Sequence, residues 1–89
     1  MERKIALLIT VYNDPEGLKR SLESLPLEVP LDVVVVDDGS DPPLPPPEVS
    51  EPHRTFLIRL ERNQGVARAA NEGLRFILER GYPYVARLD

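Results

Sequence analysis

The chain has 89 residues, 42% of them hydrophobic and 29% charged, with a net charge of −4, ten prolines and no cysteine. That length holds one domain, residues 1–89, with a modest core, because a domain of this size buries roughly 60 to 65% of the surface its unfolded chain exposes. The composition excludes a disulfide-stapled fold and a thiolate metal site. The acidic balance, with no cluster of lysine and arginine, excludes a nucleic-acid backbone as main partner, and no apolar run nears the roughly 18 residues of a membrane span.

In chain order, "IALLI" is an apolar run bounded by charge and by "TVYNDPEG", which predicts a buried, central strand over residues 4–10. Asp14 before Pro15 is a helix start: the aspartate caps, and the proline takes the first helical position, where its missing N–H costs nothing. The helix is expected to reach about Leu25, with Leu18, Leu22 and Leu25 recurring at i, i+4 and i+7 on the buried face, and Pro26 ends it. Residues 31–36 make the second strand. Its four valines without polar alternation predict a strand covered on both faces, as in the interior of a parallel sheet.

Residues 41–52, "DPPLPPPEVSEP", are too rich in proline for a helix or a central strand and are read as a stiff surface loop. The one histidine, His53, follows this stretch and is expected to be exposed. "TFLIRL" predicts a third strand over residues 55–60, "ERNQGV" a turn, and residues 66–80 a long helix whose apolar stripe is Val66, Ala70, Leu74 and Ile77. Gly81 stops that helix, and residues 84–88 form the fourth strand. Strands alternating with helices imply right-handed crossovers: an α/β, Rossmann-like parallel sheet with flanking helices. The order 3-2-1-4 is expected, because the first strand is the most continuously apolar and the topological switch should fall beside it.

This topology brings "TVYND", "DDGS", "RNQG" and Asp89 to one sheet edge, where open α/β sheets bind ligands. The expected crevice is lined by Thr10, Tyr12, Asp38 and Asp89, with Arg68 near the start of the second helix. An aspartate can accept a ring N–H of a base, Tyr12 can pack on that base, and an arginine beside exposed helix N–H groups suits a diphosphate. Paired carboxylates are poor phosphate neighbours, so at least one of Asp37 and Asp38 should face a base or ribose. Taken singly each residue has a plainer reading: "DDGS" as a turn, Tyr12 as a rim aromatic, Arg68 as a solvated side chain, Gly65 as a turn glycine. Their joint placement carries the case.

"LLITVYND", "VVVVDDGSD", "NQGVARAANEGL" and "YVARLD", in that order, resemble the successive motifs of GT-A fold, family 2 type glycosyltransferases, which transfer sugar from a nucleotide-diphosphate sugar. The resemblance spans nearly the whole chain and implies the N-terminal, donor-binding half of that fold. It implies that Thr10 and Tyr12 line the nucleotide pocket, that Asp38 recognises the base, and that residues 63–71, with Gly65 and Arg68, lie beside ribose and phosphates. Asp89 resembles the first aspartate of the Asp-x-Asp motif that holds a divalent metal, Mg or Mn. A UDP-sugar is the expected donor, and transfer to an acceptor hydroxyl is expected to invert the sugar. Members often have arginine at the position of Ala70, a role Arg68 is expected to take. The acceptor site and catalytic base belong to a following half, so no residue of this chain is expected to be catalytic. The lack of a leader-like segment and of cysteine points to the cytoplasm, peripheral to a membrane in a longer protein.

A dinucleotide-dependent oxidoreductase should carry G-x-G-x-x-G after the first strand, where this chain has "TVYNDPEG". A phosphoacceptor receiver would want its acidic pair after the first strand, not the second. The remaining alternative is a noncatalytic nucleotide-binding or interaction module of the same fold.

Overall fold

The structure is a computed structural model that describes residues 3–88. Its elements follow as β1 (Ile5–Val11), α1 (Pro15–Glu23), β2 (Leu31–Asp37), β3 (Arg54–Arg59), α2 (Val66–Glu79) and β4 (Tyr84–Leu88). The four strands form one sheet in the order β3-β2-β1-β4, and every pairing is parallel. β1 is thus interior, as its apolar run requires, and every residue of β2 is buried, as its valines require.

Alternation along β1 and β2 divides the core into two layers. Leu7, Ile9 and Val11 with Val33 and Val35 face α1, where Leu18 and Leu22 are buried and Leu25 packs at the margin. Ala6, Leu8, Val34 and Val36 face α2. Crossovers from β1 to β2 and from β3 to β4 run in opposite directions along the sheet, and right-handedness then puts the two helices on opposite faces. Between β2 and β3 the proline-rich segment does the work of a helix on the α1 face. Leu44 is buried there and Val49 packs beside it.

α1 begins as its sequence predicts. The Asp14 carboxylate accepts the Gly17 N–H at 2.9 Å, with Pro15 in the first position. It ends at Glu23, two residues short of the expected Leu25, because a residue preceding Pro26 is disfavoured in helical conformation and the Ser24 hydroxyl already bonds the Ser21 carbonyl.

Two expectations fail. His53 is buried, its Nδ1 accepting the Leu31 N–H at 3.2 Å and its own backbone N–H bonding the Ser50 carbonyl, so its ring belongs to the packing between the start of β2 and the turn before β3. Val66, placed on the buried stripe of α2, is 60% exposed, while Ala70 and Ile77 of that stripe are buried together with Ala69 and Gly73. A methyl at Gly73 would overlap Leu8 and lie 3.0 Å from Val36, so the close approach of α2 depends on that missing side chain. Among the described residues no helix is long and apolar enough to cross a membrane.

Candidate functional site

β1 and β2 deliver their last residues side by side, Val11 paired with Asp37, and the ladder runs one step further through the Asp38 N–H to the Val11 carbonyl at 2.8 Å. Beyond that point the two aspartates part. Asp37 is fully buried and turns to the proline-rich side. One carboxylate oxygen accepts the Ser40 N–H at 3.0 Å and the other the Leu44 N–H at 3.1 Å, with the Arg59 guanidinium 3.6 Å away. Burial pushes its pKa up, but the Ser40 hydroxyl, the two backbone N–H groups and Arg59 outweigh it and hold the carboxyl below its ordinary value. Asp37 therefore organises its own loop.

Asp38 turns the other way. Oδ1 accepts the Gln64 N–H at 2.7 Å, and Oδ2 accepts the Gly65 N–H and the Asn63 side-chain amide, each at 3.0 Å. The carboxylate sits against the amino end of α2, where N–H groups lack helical partners and the dipole favours negative charge. Gly39 lets this turn close. Its φ is +72°, and a Cβ there would overlap the backbone of Arg62 and Asn63. A carboxylate has about four lone-pair sites; three side-chain acceptor bonds leave one free on Oδ1.

Thr10, Val11, Tyr12, Asp38, Asn63, Gly65 and Val66 line a cleft of about 290 Å³ above the carboxyl ends of β1 and β2. It lies beside β1, at the switch between β2 on one side and β4 on the other. Tyr12 is 52% exposed and forms its aromatic wall. The structure thus brings Thr10, Tyr12, Asp38 and Gly65 together. Arg68 is exposed on the first turn of α2 and is not among the residues lining the cleft. Asp89, the expected metal residue, lies outside the described residues. Among the described residues no three acidic, histidine or cysteine side chains gather as a metal site.

Sequence reasoning placed Asn63 only within the segment expected beside ribose and phosphates, not against Asp38, and gave no site role of their own to Val66 or Asn13. Asn63 could have been found as the polar residue that enters the tight turn opposite Asp38. Asn13 has φ +53°, and its side-chain oxygen accepts the Asp41 N–H at 2.9 Å while its backbone N–H bonds the Ser40 hydroxyl at 2.8 Å.

A larger depression of about 530 Å³ lies between α1 and the proline-rich segment, lined by Leu18, Leu22, Leu44 and Val49 among others. Glu16, Lys19, Glu23 and Glu48 stand on its rim, and none of the residues lining the cleft at the strand ends borders it.

The model of the family described as glycosyl transferase family 2 matches residues 6–89. A poly-beta-1,6-N-acetyl-D-glucosamine synthase of Staphylococcus epidermidis is 34% identical over 89 residues, covering 96% of this chain and 21% of the synthase. A second synthase of that name and species is 33% identical with the same coverage. The chain therefore spans about a fifth of the length of the curated relatives it matches. No solved structure gives a significant match.

Proposed function

The chain belongs to glycosyl transferase family 2, and from that premise we propose that it binds the donor, a nucleoside-diphosphate sugar, for transfer to an acceptor hydroxyl. In that reaction the acceptor oxygen attacks the anomeric carbon in line, its proton passes to a base, and the nucleoside diphosphate leaves with inversion. Within this chain the base of the nucleotide lies on Tyr12 and gives a ring N–H to the free lone pair of Asp38 Oδ1. Thr10 borders the same pocket. The diphosphate lies toward the N–H groups of the first turn of α2, with Arg68 as countercharge.

The observation that carries this reading is the cleft itself: an exposed aromatic side chain and a carboxylate with one acceptor site to spare line one cleft at the switch point of a parallel sheet. UDP is the first nucleotide to test. The relatives' name specifies an N-acetylglucosamine polymer, which makes a UDP-linked N-acetylhexosamine the first donor to try. Asp89 would hold Mg or Mn together with the diphosphate, and such an ion would neutralise charge on the leaving group. The catalytic base and acceptor site are assigned to no residue of this chain.

UDP titrated into the chain should shift the NMR signals of Thr10, Tyr12, Asp38 and Gly65, with a dissociation constant toward the millimolar end, about −4 to −5 kcal/mol. A tightening with Mn or Mg supports the metal. Shifts confined to other residues, or none, would overturn the reading.

A further inference from the structure

The walls of the cleft come from three segments, the end of β1, the loop after β2 and the start of α2, and Asn13 bonds the first of these to the second. Its backbone N–H donates to the Ser40 hydroxyl at 2.8 Å, and its side-chain oxygen accepts the Asp41 N–H at 2.9 Å. Ser40 is in turn fixed from beneath, because its own N–H bonds the buried Asp37 carboxylate at 3.0 Å. The result is a closed circuit from Asp37 at the end of β2, through Ser40, to the residue that follows Tyr12.

Tyr12 itself is half exposed and, among the described residues, no hydrogen bond of its hydroxyl anchors the ring, so the ring's position depends on the backbone that carries it. That backbone reverses at Asn13, which adopts a left-handed φ of +53° before the chain enters the Asp14 cap of α1. Asparagine tolerates this conformation, and its short side chain can bond a nearby N–H at the same time. Asp38, on the opposite wall, leaves the same segment that the circuit clamps. We propose that Asn13 is a positioning residue: its paired hydrogen bonds to residues 40 and 41 set the distance between Tyr12 and Asp38, and hence the fit of a nucleoside base between them. This inference rests on the proposed nucleotide binding for its ligand, though not for its geometry.

Asn13→Gly keeps the positive φ at no steric cost and deletes only the side-chain acceptor. Asn13→Asp restores an acceptor oxygen. Because aspartate adds a charge, the probe is the neutral nucleoside uridine, followed by NMR in the whole chain, with urea unfolding as a check on the fold. Asn13→Gly should leave the chain folded, speed amide exchange at Asp41, shift the Tyr12 and Asp38 amides, and weaken uridine binding about 3- to 10-fold, the loss of one neutral hydrogen bond. Asn13→Asp should restore slow exchange at Asp41 and bring affinity back to within about twofold. A role confined to stability would lower the urea midpoint in Asn13→Gly while leaving uridine affinity of the folded chain unchanged, and that result overturns the inference. If the parent chain binds neither uridine nor UDP, the nucleotide reading falls. The clasp is then decided by the ligand-free signals: unchanged Tyr12 and Asp38 amides in Asn13→Gly reject it, and shifted ones support it.

Discussion

Asp37 and Asp38 are adjacent and chemically identical, and the structure gives them different tasks through direction alone. Successive residues of an extended strand project to opposite sides, so one carboxylate reaches the proline-rich segment and the other the turn before α2. Asp37→Asn keeps one acceptor oxygen and loses the other, leaving either the Ser40 or the Leu44 N–H buried without a partner, which should cost about 1 to 3 kcal/mol in urea unfolding. Its effect on UDP affinity should be smaller than that of Asp38→Ala, which removes the proposed base contact and should weaken binding by roughly 1 to 3 kcal/mol. Equal losses of affinity in the two variants, by NMR titration, would show that the free lone pair of Asp38 is not used. The sequence suggests that the pair divides its labour, since only one of two neighbours can face a crevice. It does not show that Asp38 is also tied to Gln64 and Gly65, because nothing local to "DDGS" says which turn will lie across from it.

Elements were legible where one property dominated. Four consecutive valines can hardly be anything but a buried strand, and Asp14 with Pro15 marks a helix start by two independent signals. On α2 the expected stripe holds at Ala70 and Ile77, which are buried, and at Leu74, which packs beside them, and fails only at Val66, the residue that opens the helix. The sheet also receives Ala69 and Gly73, whose small size lets the helix axis come close, while Val66 turns outward to the rim of the cleft. His53 was misread because composition describes a segment and not the one ring in it that turns inward. Gly73→Ala is the direct check on α2. In a solvent-facing helix position alanine should stabilise by about 1 kcal/mol; here the added methyl meets Leu8 and Val36, and overpacking should reverse the sign, for a net loss of about 1 to 2 kcal/mol in urea unfolding. A gain in stability would mean that α2 stands further from the sheet.

Across the whole molecule the two edges of the sheet are built for different purposes. The carboxyl edge holds the cleft, and the amino edge is locked around Asp32, a fully buried carboxylate on β2 that bonds the Arg3, Arg54 and Tyr82 side chains. These partners come from the chain ahead of β1, from β3 and from the turn before β4, so one residue ties together segments that enter all four strands. A carboxylate inside a run of valines demands such partners, and this was the available clue to a network that reading by hydrophobic pattern passes over. Burial pushes the Asp32 pKa up, yet Arg54, Tyr82 and Arg3 together lower it from 3.8 to about 2. With the folded value below the unfolded one, the stabilisation is complete above pH 4 or so and is lost as pH falls toward 2, amounting to about 2 kcal/mol. Asp37, also lowered, acts in the same direction. At the other extreme, burial and the Asp32 charge raise the pKa of Tyr82 above its ordinary 10.0, so the folded chain resists losing that proton and stability should fall again as pH rises past 10. Urea midpoints followed by circular dichroism across this range should therefore be level near neutrality and decline at both ends. Asp32→Asn removes the titrating group and should start lower at pH 7 with a flatter acid limb, and an acid limb as steep as the parent's would place the titration elsewhere.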